Sequence, residues 1–356
     1  MRKLIALGCL ALLLGSTLSG QQPIFTPYGI IPVLDSYLEA LRVQAAIPGM
    51  SAAIVRDGVI LWEKGYGFQN IATREPATPS TPYLVGDASA TLAAVLLLQC
   101  VEQRRFGLDT PLRQYGIDIP EGGATLRDLL SHRQNEAQGE PFVYSPDRYS
   151  QLTAVMEWCA PQPYRKSVSH RILNRLAMID SVPGTDFRDP ALALPEGLYE
   201  QPERDRYHRV LERMSAGYRV DNRGRATRTE LPPVAITASN GLVSTVRDLA
   251  KLDGALDTRL LLLDETLGQA WQQGISYRGP IPAGLGWFVQ YYNGQRVVWH
   301  FGNVPNAYSS LIIKLPERNL TFILLANSDR LVAPYQVPAG DVSRSLFATL
   351  FLKLVT

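Results

Sequence analysis

The sequence predicts an α/β (α+β) chain: one antiparallel sheet built from N- and C-terminal segments, flanked by terminal helices, with a mostly helical lobe inserted between its halves. Three observations predict it. Apolar, β-rich runs at 50–56 and 59–66 meet at Asp57-Gly58, a dipeptide suited to the positive-φ turn of a tight hairpin. Four more such runs, at 285–292, 296–301, 309–315 and 320–326, lie near the other end, with turns at Asn293-Gly294 and at 316–319. Between the two groups, apolar residues recur at helical spacing. The boundaries that follow are 21–85 and 240–356 for the sheet and 86–239 for the lobe, all within one domain.

The chain opens Met1, Arg2, Lys3, then runs apolar from Leu4 to Leu14 before the small residues Gly15, Ser16, Ser19 and Gly20. A basic start, a short apolar core and a small-residue tail predict a signal peptide over 1–20, cleaved near Gly20, and a secreted or periplasmic protein. Cys9 lies in the middle of the apolar run, too early for a lipoprotein anchor, and no later stretch is apolar enough to cross a membrane. Loss of Arg2 and Lys3 lowers the 35 basic residues to 33 against 33 acidic ones. A net charge of zero argues against nucleic acid as a partner. The 46% hydrophobic and 19% charged content suits a packed core and excludes a disordered chain.

Residues 32–46 place Leu34, Tyr37, Leu38, Leu41 and Ala45 on one helical face behind Pro32. In the lobe, helices are expected at 86–103, 125–132, 147–159 and 168–178. Residues 183–210 read as irregular, although the charged run 203–213 has the look of a solvated helix face. A surface hairpin turns at 222–224, a helix entered through Ser244 or Thr245 follows, and a last helix covers about 342–354. Cys100 and Cys159 both fall in apolar helical patterns, where a buried thiol rather than a bridge is expected.

The segments IPGMSAAIVRDG, GDASATLAAVLLLQCVEQ, FGLDTPLRQYGI, TLRDLLSH, FVYSPDRYSQL, SAGYRVD, GLVSTVRDLAKL and HFGNVPNAYSSLIIKLPERNLTFILLANSD occur in this order. In this register they resemble the serine β-lactamase and penicillin-binding-protein-like family, most closely its class C and esterase-like branch. The resemblance covers nearly all of the chain after the leader. It implies an α/β sandwich with a helical lobe and an active site in the cleft between them. It also implies three motifs: a nucleophilic Ser with a Lys one helical turn later, a Tyr two residues before an Asn, and a His-x-Gly strand bordering the oxyanion hole.

Laid on that pattern, the nucleophile position is Asp87 and the Lys position is Ala90. Shifting the register to make Ser89 the nucleophile fails, since two residues turn a helix by roughly 200° and Leu92 stands where its Lys is needed. None of Lys3, Lys64, Lys166, Lys251, Lys314 or Lys353 has a Ser three residues before it. The Tyr of the second motif is present as Tyr144, but its Asn is Pro146. His300 and Gly302 keep the third motif, followed by Asn303 and Asn306 where the family often has Gly. The family's His-Thr-Ser-Gly reads His132-Arg133-Gln134-Asn135, and Asn240 stands before Gly241.

Asp87 is read as a helix N-cap, with an alternative role as nucleophile or base. Tyr144 is read as an amphipathic loop residue, and His300 either as a ligand contact or as a residual strand histidine. Cleft candidates are therefore Asp87, Tyr144, His300 and Gly302, with no intact catalytic set at Asp87, Ala90, Tyr144 and Pro146. No cofactor and no metal is expected, because the four histidines form no ligand motif. The chain is expected to be a pseudoenzyme that binds a peptidoglycan-type peptide or a protein partner; an active hydrolase using non-standard residues is the alternative.

Overall fold

The computed structural model describes residues 27–134, 139–189 and 197–356. The expected leader and Asn135 lie outside them. Among the described residues no helix is long and apolar enough to cross a membrane, and no cluster of three metal-ligating side chains occurs.

A seven-stranded antiparallel sheet forms the base: β1 (Gly49–Arg56), β2 (Val59–Asn70), β3 (Glu75–Pro76), β4 (Phe288–Tyr292), β5 (Gln295–Val304), β6 (Tyr308–Leu315) and β7 (Leu320–Ala326). Their order in the sheet is β4-β5-β6-β7-β1-β2-β3, so the last strand in sequence pairs with the first. The turn residues act as the sequence predicts. Asp57 and Gly58 have φ of 51° and 74°, and Asn293 and Gly294 have φ of 47° and 74°, the two successive positive values that a type I′ turn needs.

Side chains alternate along the central strands. Met50, Ala52 and Ile54 of β1 and Phe322 and Leu324 of β7 pack on the terminal helices α1 (Pro27–Gln44) and α4 (Leu346–Val355), through Leu34, Leu38, Phe347 and Phe351. Ala53, Val55, Ile323 and Leu325 face the other way, against α2 (Ala90–Glu102) and α3 (Val246–Asp257) of the lobe side. Both sheet faces are thus covered, which is why these strands read as continuous apolar runs.

Several expectations need correcting. Helix α1 begins at Pro27 and runs through Pro32 instead of starting there. The irregular stretch expected over 183–210 holds a helix, Gln201–Glu212, whose buried face of Tyr207, Val210 and Leu211 is hidden among its charges. The helix expected over 168–178 is Tyr164–Val168 followed by a wide π turn at Ser169–Leu173. Cys100 and Cys159 form a disulfide, so the expectation of two buried thiols is overturned. Helix α2 and the helix Leu152–Cys159 pack side by side and bring the two Cα atoms to 6.5 Å, within bridging reach.

One close approach positions the site. A Cβ at Gly302 on β5 would stand 1.8 Å from the Val85 carbonyl oxygen, and one at Gly86 would stand 2.9 Å from the Asn303 nitrogen. The Ser310 hydroxyl donates to that same Val85 oxygen at 2.7 Å. Only glycine at 302 lets the chain entering α2 lie against the strand, and Gly86 also takes a positive φ of 61°. Residue 87 is thereby held beside β5.

Candidate functional site

The chain enters α2 through a 3-10 turn, Gly86–Ser89, and the α-helix proper starts at Ala90. Neither Val85 nor Ser89, the two cap positions, makes a side-chain cap bond. The reading of Asp87 as an N-cap is therefore corrected. Its carboxyl faces the Tyr144 hydroxyl and the backbone N–H of Asn303, both of which favour its charged form. Asn303 follows His300-Phe301-Gly302, the strand that the family resemblance sets beside the oxyanion hole. The carboxyl thus sits against the strand that the resemblance places beside the oxyanion hole.

Ala90, at the lysine position, is 3% exposed, and its carbonyl accepts the Tyr149 hydroxyl at 3.1 Å. Ser89 is no spare nucleophile: its hydroxyl donates to the Gly86 carbonyl at 2.7 Å and accepts the Leu242 N–H at 3.1 Å. Tyr144 packs on Phe301 and Phe288, with ring centroids 5.0 and 5.5 Å apart, and aims its hydroxyl at Asp87. Pro146 stands at N1 of the helix Pro146–Ser150, where its fixed φ suits the first turn, while the Ser145 hydroxyl caps the Arg148 N–H at 3.2 Å. A helix start stands where the resemblance places the amide of the second motif.

His300 is buried on β5 and its Nδ1–H donates to the Phe301 carbonyl at 2.7 Å. Sequence reasoning gave His132 no role, yet the structure stacks it between Tyr144 and Tyr149, with centroids 4.7 and 5.2 Å away. Its Nδ1 accepts the Ser145 N–H at 3.3 Å. The usable signal was its position at the end of TLRDLLSH, one of the family landmarks. Gly302 touches the site only through its backbone, as the close approach requires.

Burial sets the charge of the side chains in the site. Burial pushes the His132 imidazole down to about 3, helped by His300 and Arg148, and the His300 imidazole down to about 4. Both are neutral at pH 7. Burial and the adjacent Asp87 hold the Tyr144 phenol well above its usual value, so it is no base. Burial also pushes the Asp87 carboxyl up to about 7, against the opposing hydrogen bonds from Tyr144 and Asn303 and with a small contribution from Asp147. His300 shares a cavity lining with Lys314, whose ammonium is paired with Asp253 and Asp257.

A carboxyl that titrates near 7 in the fold and near 3.8 unfolded keeps its proton longer when folded. Its contribution to stability is present at pH 4 and is lost as the pH rises through 7. Urea unfolding of the wild type and of Asp87→Asn across that range is expected to show the variant gaining relative stability by roughly 2–4 kcal/mol between pH 4 and pH 8. Parallel pH profiles would contradict the burial of this carboxyl.

The profile of the Beta-lactamase family matches residues 34–340. The chain belongs to the beta-lactamase family. Among solved structures, the octameric penicillin-binding protein homologue from Pyrococcus abyssi superposes with a TM-score of 0.69 at 23% identity, covering 87% of this chain and 76% of that one. The D-amino acid amidase from Ochrobactrum anthropi superposes with a TM-score of 0.67 at 18% identity, covering 91% and 98%. These confirm the fold of a beta-lactamase-family protein. A D-aminopeptidase of Brucella canis is 24% identical over 157 residues, 44% of this chain, and the match spans only 28% of that enzyme's length. The family fold is thus present, and Asp87 and Ala90 stand where the resemblance places Ser and Lys.

Proposed function

We propose that this beta-lactamase-family chain has given up acyl transfer and serves, outside the cytoplasm, as a binding module for a peptidoglycan-type peptide carrying D-amino acids. The single observation that carries the proposal is the buried Asp87 carboxyl, which stands where the resemblance places the nucleophile and faces the Asn303 N–H and the Tyr144 hydroxyl. Asp87, Ala90 and His300 are all buried, so nothing in the old centre is offered to a substrate carbonyl.

A groove of about 350 Å³ stays open beside that centre, lined by Phe301, Asn303, Val332, Ala333, Gln336 and Pro338 among others. The Asn303 Oδ1 is buried without a hydrogen-bond partner among the described residues. An unused acceptor at the edge of an apolar groove suits a peptide N–H or an ammonium group. The names of the D-aminopeptidase and D-amino acid amidase relatives supply the stereochemistry. The signal-like N-terminus and the disulfide support an oxidising, exported location.

One observation favours a second reading, an active hydrolase. A carboxyl pushed up to about 7 is poised as a general base at neutral pH. Calorimetric titration with a stem peptide ending in D-alanyl-D-alanine, followed by mass spectrometry of the mixture, separates the two. Saturable binding of intact peptide, weakened by Asn303→Ala, is expected. Release of free D-alanine would favour the hydrolase, and absence of binding would remove the peptide ligand.

A further inference from the structure

Far along α2 from Asp87, a groove of about 490 Å³ is lined by Gln99, Glu102, Gln103, His170, Arg171, Arg175 and Leu261. Its cations are held in place by neutral groups. The Arg171 guanidinium donates to the Gln99 Oε1 at 2.7 Å, and the buried Gln99 is itself locked by its Nε2 donating to the Leu261 carbonyl at 2.9 Å. Arg175 donates to the Leu260 carbonyl at 2.9 Å, and nearby Arg105 donates to the Cys159 carbonyl at 2.9 Å. The Cys100–Cys159 bridge ties that carbonyl to α2, so the arrangement is braced covalently.

Among the described residues none of these three arginines has a carboxylate partner. The one carboxylate lining the groove, Glu102, accepts the Leu263 N–H at 2.8 Å. His170 lies 3.9 Å from Glu203. Two guanidinium groups line the groove, with Arg105 near Arg171, against one engaged carboxylate in the lining. Burial and the facing charges of Arg105 and Arg175 hold the Arg171 guanidinium below its usual range, as expected where like charges converge without a counter-ion. The π turn Ser169–Leu173 carries His170 and Arg171 to the rim; such wide turns recur at functional sites.

We infer that this groove is an anion site for a phosphate-type group, held by the guanidinium groups of Arg171 and Arg175. Planar guanidinium groups oriented by fixed acceptors match the several oxygens of a phosphate, whereas chloride offers them only a single spherical charge. The site lies apart from the peptide groove and does not depend on the reading of Asp87.

The test titrates the full chain with inorganic phosphate and with pyrophosphate at constant ionic strength, and separately with vesicles containing an anionic phospholipid. Thermal unfolding is followed in parallel. Saturable binding that raises the midpoint, and that Arg171→Gln with Arg175→Gln weakens about tenfold or more, is expected. Response to free phosphate identifies a soluble ligand, and response to vesicles alone identifies a lipid headgroup. In phosphate-free buffer the double variant is expected to unfold at the wild-type midpoint or above it, since it sheds repulsion. No response of the wild type to any of these probes would overturn the proposal, and a lower midpoint of the double variant beside it would make these arginines purely structural.

Discussion

Lys314→Met is expected to destabilise the fold by about 3–5 kcal/mol in urea unfolding at pH 7, the cost of leaving buried carboxylates without their counter-ion. Lys314 sits on β6, and its Nζ donates to the Asp253 Oδ1 at 2.9 Å, the Asp257 Oδ2 at 2.9 Å and the Thr321 Oγ1 at 3.1 Å. Its ammonium also lies 5.7 Å from the centre of the Trp271 ring. Both aspartates belong to α3, so one cation fastens the sheet to the lobe-side helix. Burial already holds the Asp253 carboxyl above its ordinary value despite the lysine. Without Lys314 it must rise further. The folded variant then keeps a proton that the unfolded chain releases, and its stability falls as the pH rises. The deficit is therefore expected to shrink toward pH 4, and adding Asp253→Leu is expected to recover part of it at pH 7.

Cys100→Ser with Cys159→Ser is expected to cost roughly 4 kcal/mol, from the entropy that a crosslink over this length removes from the unfolded chain. The two residues are 59 apart in sequence. A reductant should lower the wild-type unfolding midpoint to that of the double variant and leave the variant unchanged. Equal stability of the oxidised wild type and the variant would show that the packing of α2 on Leu152–Cys159 suffices without the bridge.

How much of this was legible in the sequence varies with the range of the interaction concerned. Asp57-Gly58 and Asn293-Gly294 announced their hairpins because the backbone conformation of a tight turn is a property of the two residues in it. That Asp87 and Ala90 stand at the positions the resemblance gives to the Ser and Lys was read from neighbouring residues alone, three apart in the sequence. The partners of Asp87 were not. Its carboxyl meets an N–H on β5 and a hydroxyl on a lobe loop, and local pattern favours the nearest orphan N–H of its own helix. The bridge failed to show for a related reason: an apolar helical pattern records that Cys100 and Cys159 are buried, not that they are buried against each other. His132 and the helix Gln201–Glu212 were hidden by composition, one behind an altered motif and the other behind a run of charges.

The central claim is that the Asp87 carboxyl fills the place of an acyl-transfer nucleophile and leaves no group to be acylated. Incubating the purified protein with a fluorescent penicillin and with a fluorophosphonate probe tests it directly. No covalent adduct is expected on the wild type. Asp87→Ser with Ala90→Lys is expected to show slow, incomplete labelling, because Tyr144 and the Asn303 N–H stay beside residue 87 while Pro146 still withholds the second motif's amide. Stoichiometric labelling of the wild type, abolished by Tyr144→Phe or His300→Ala, would contradict the account and establish an active hydrolase.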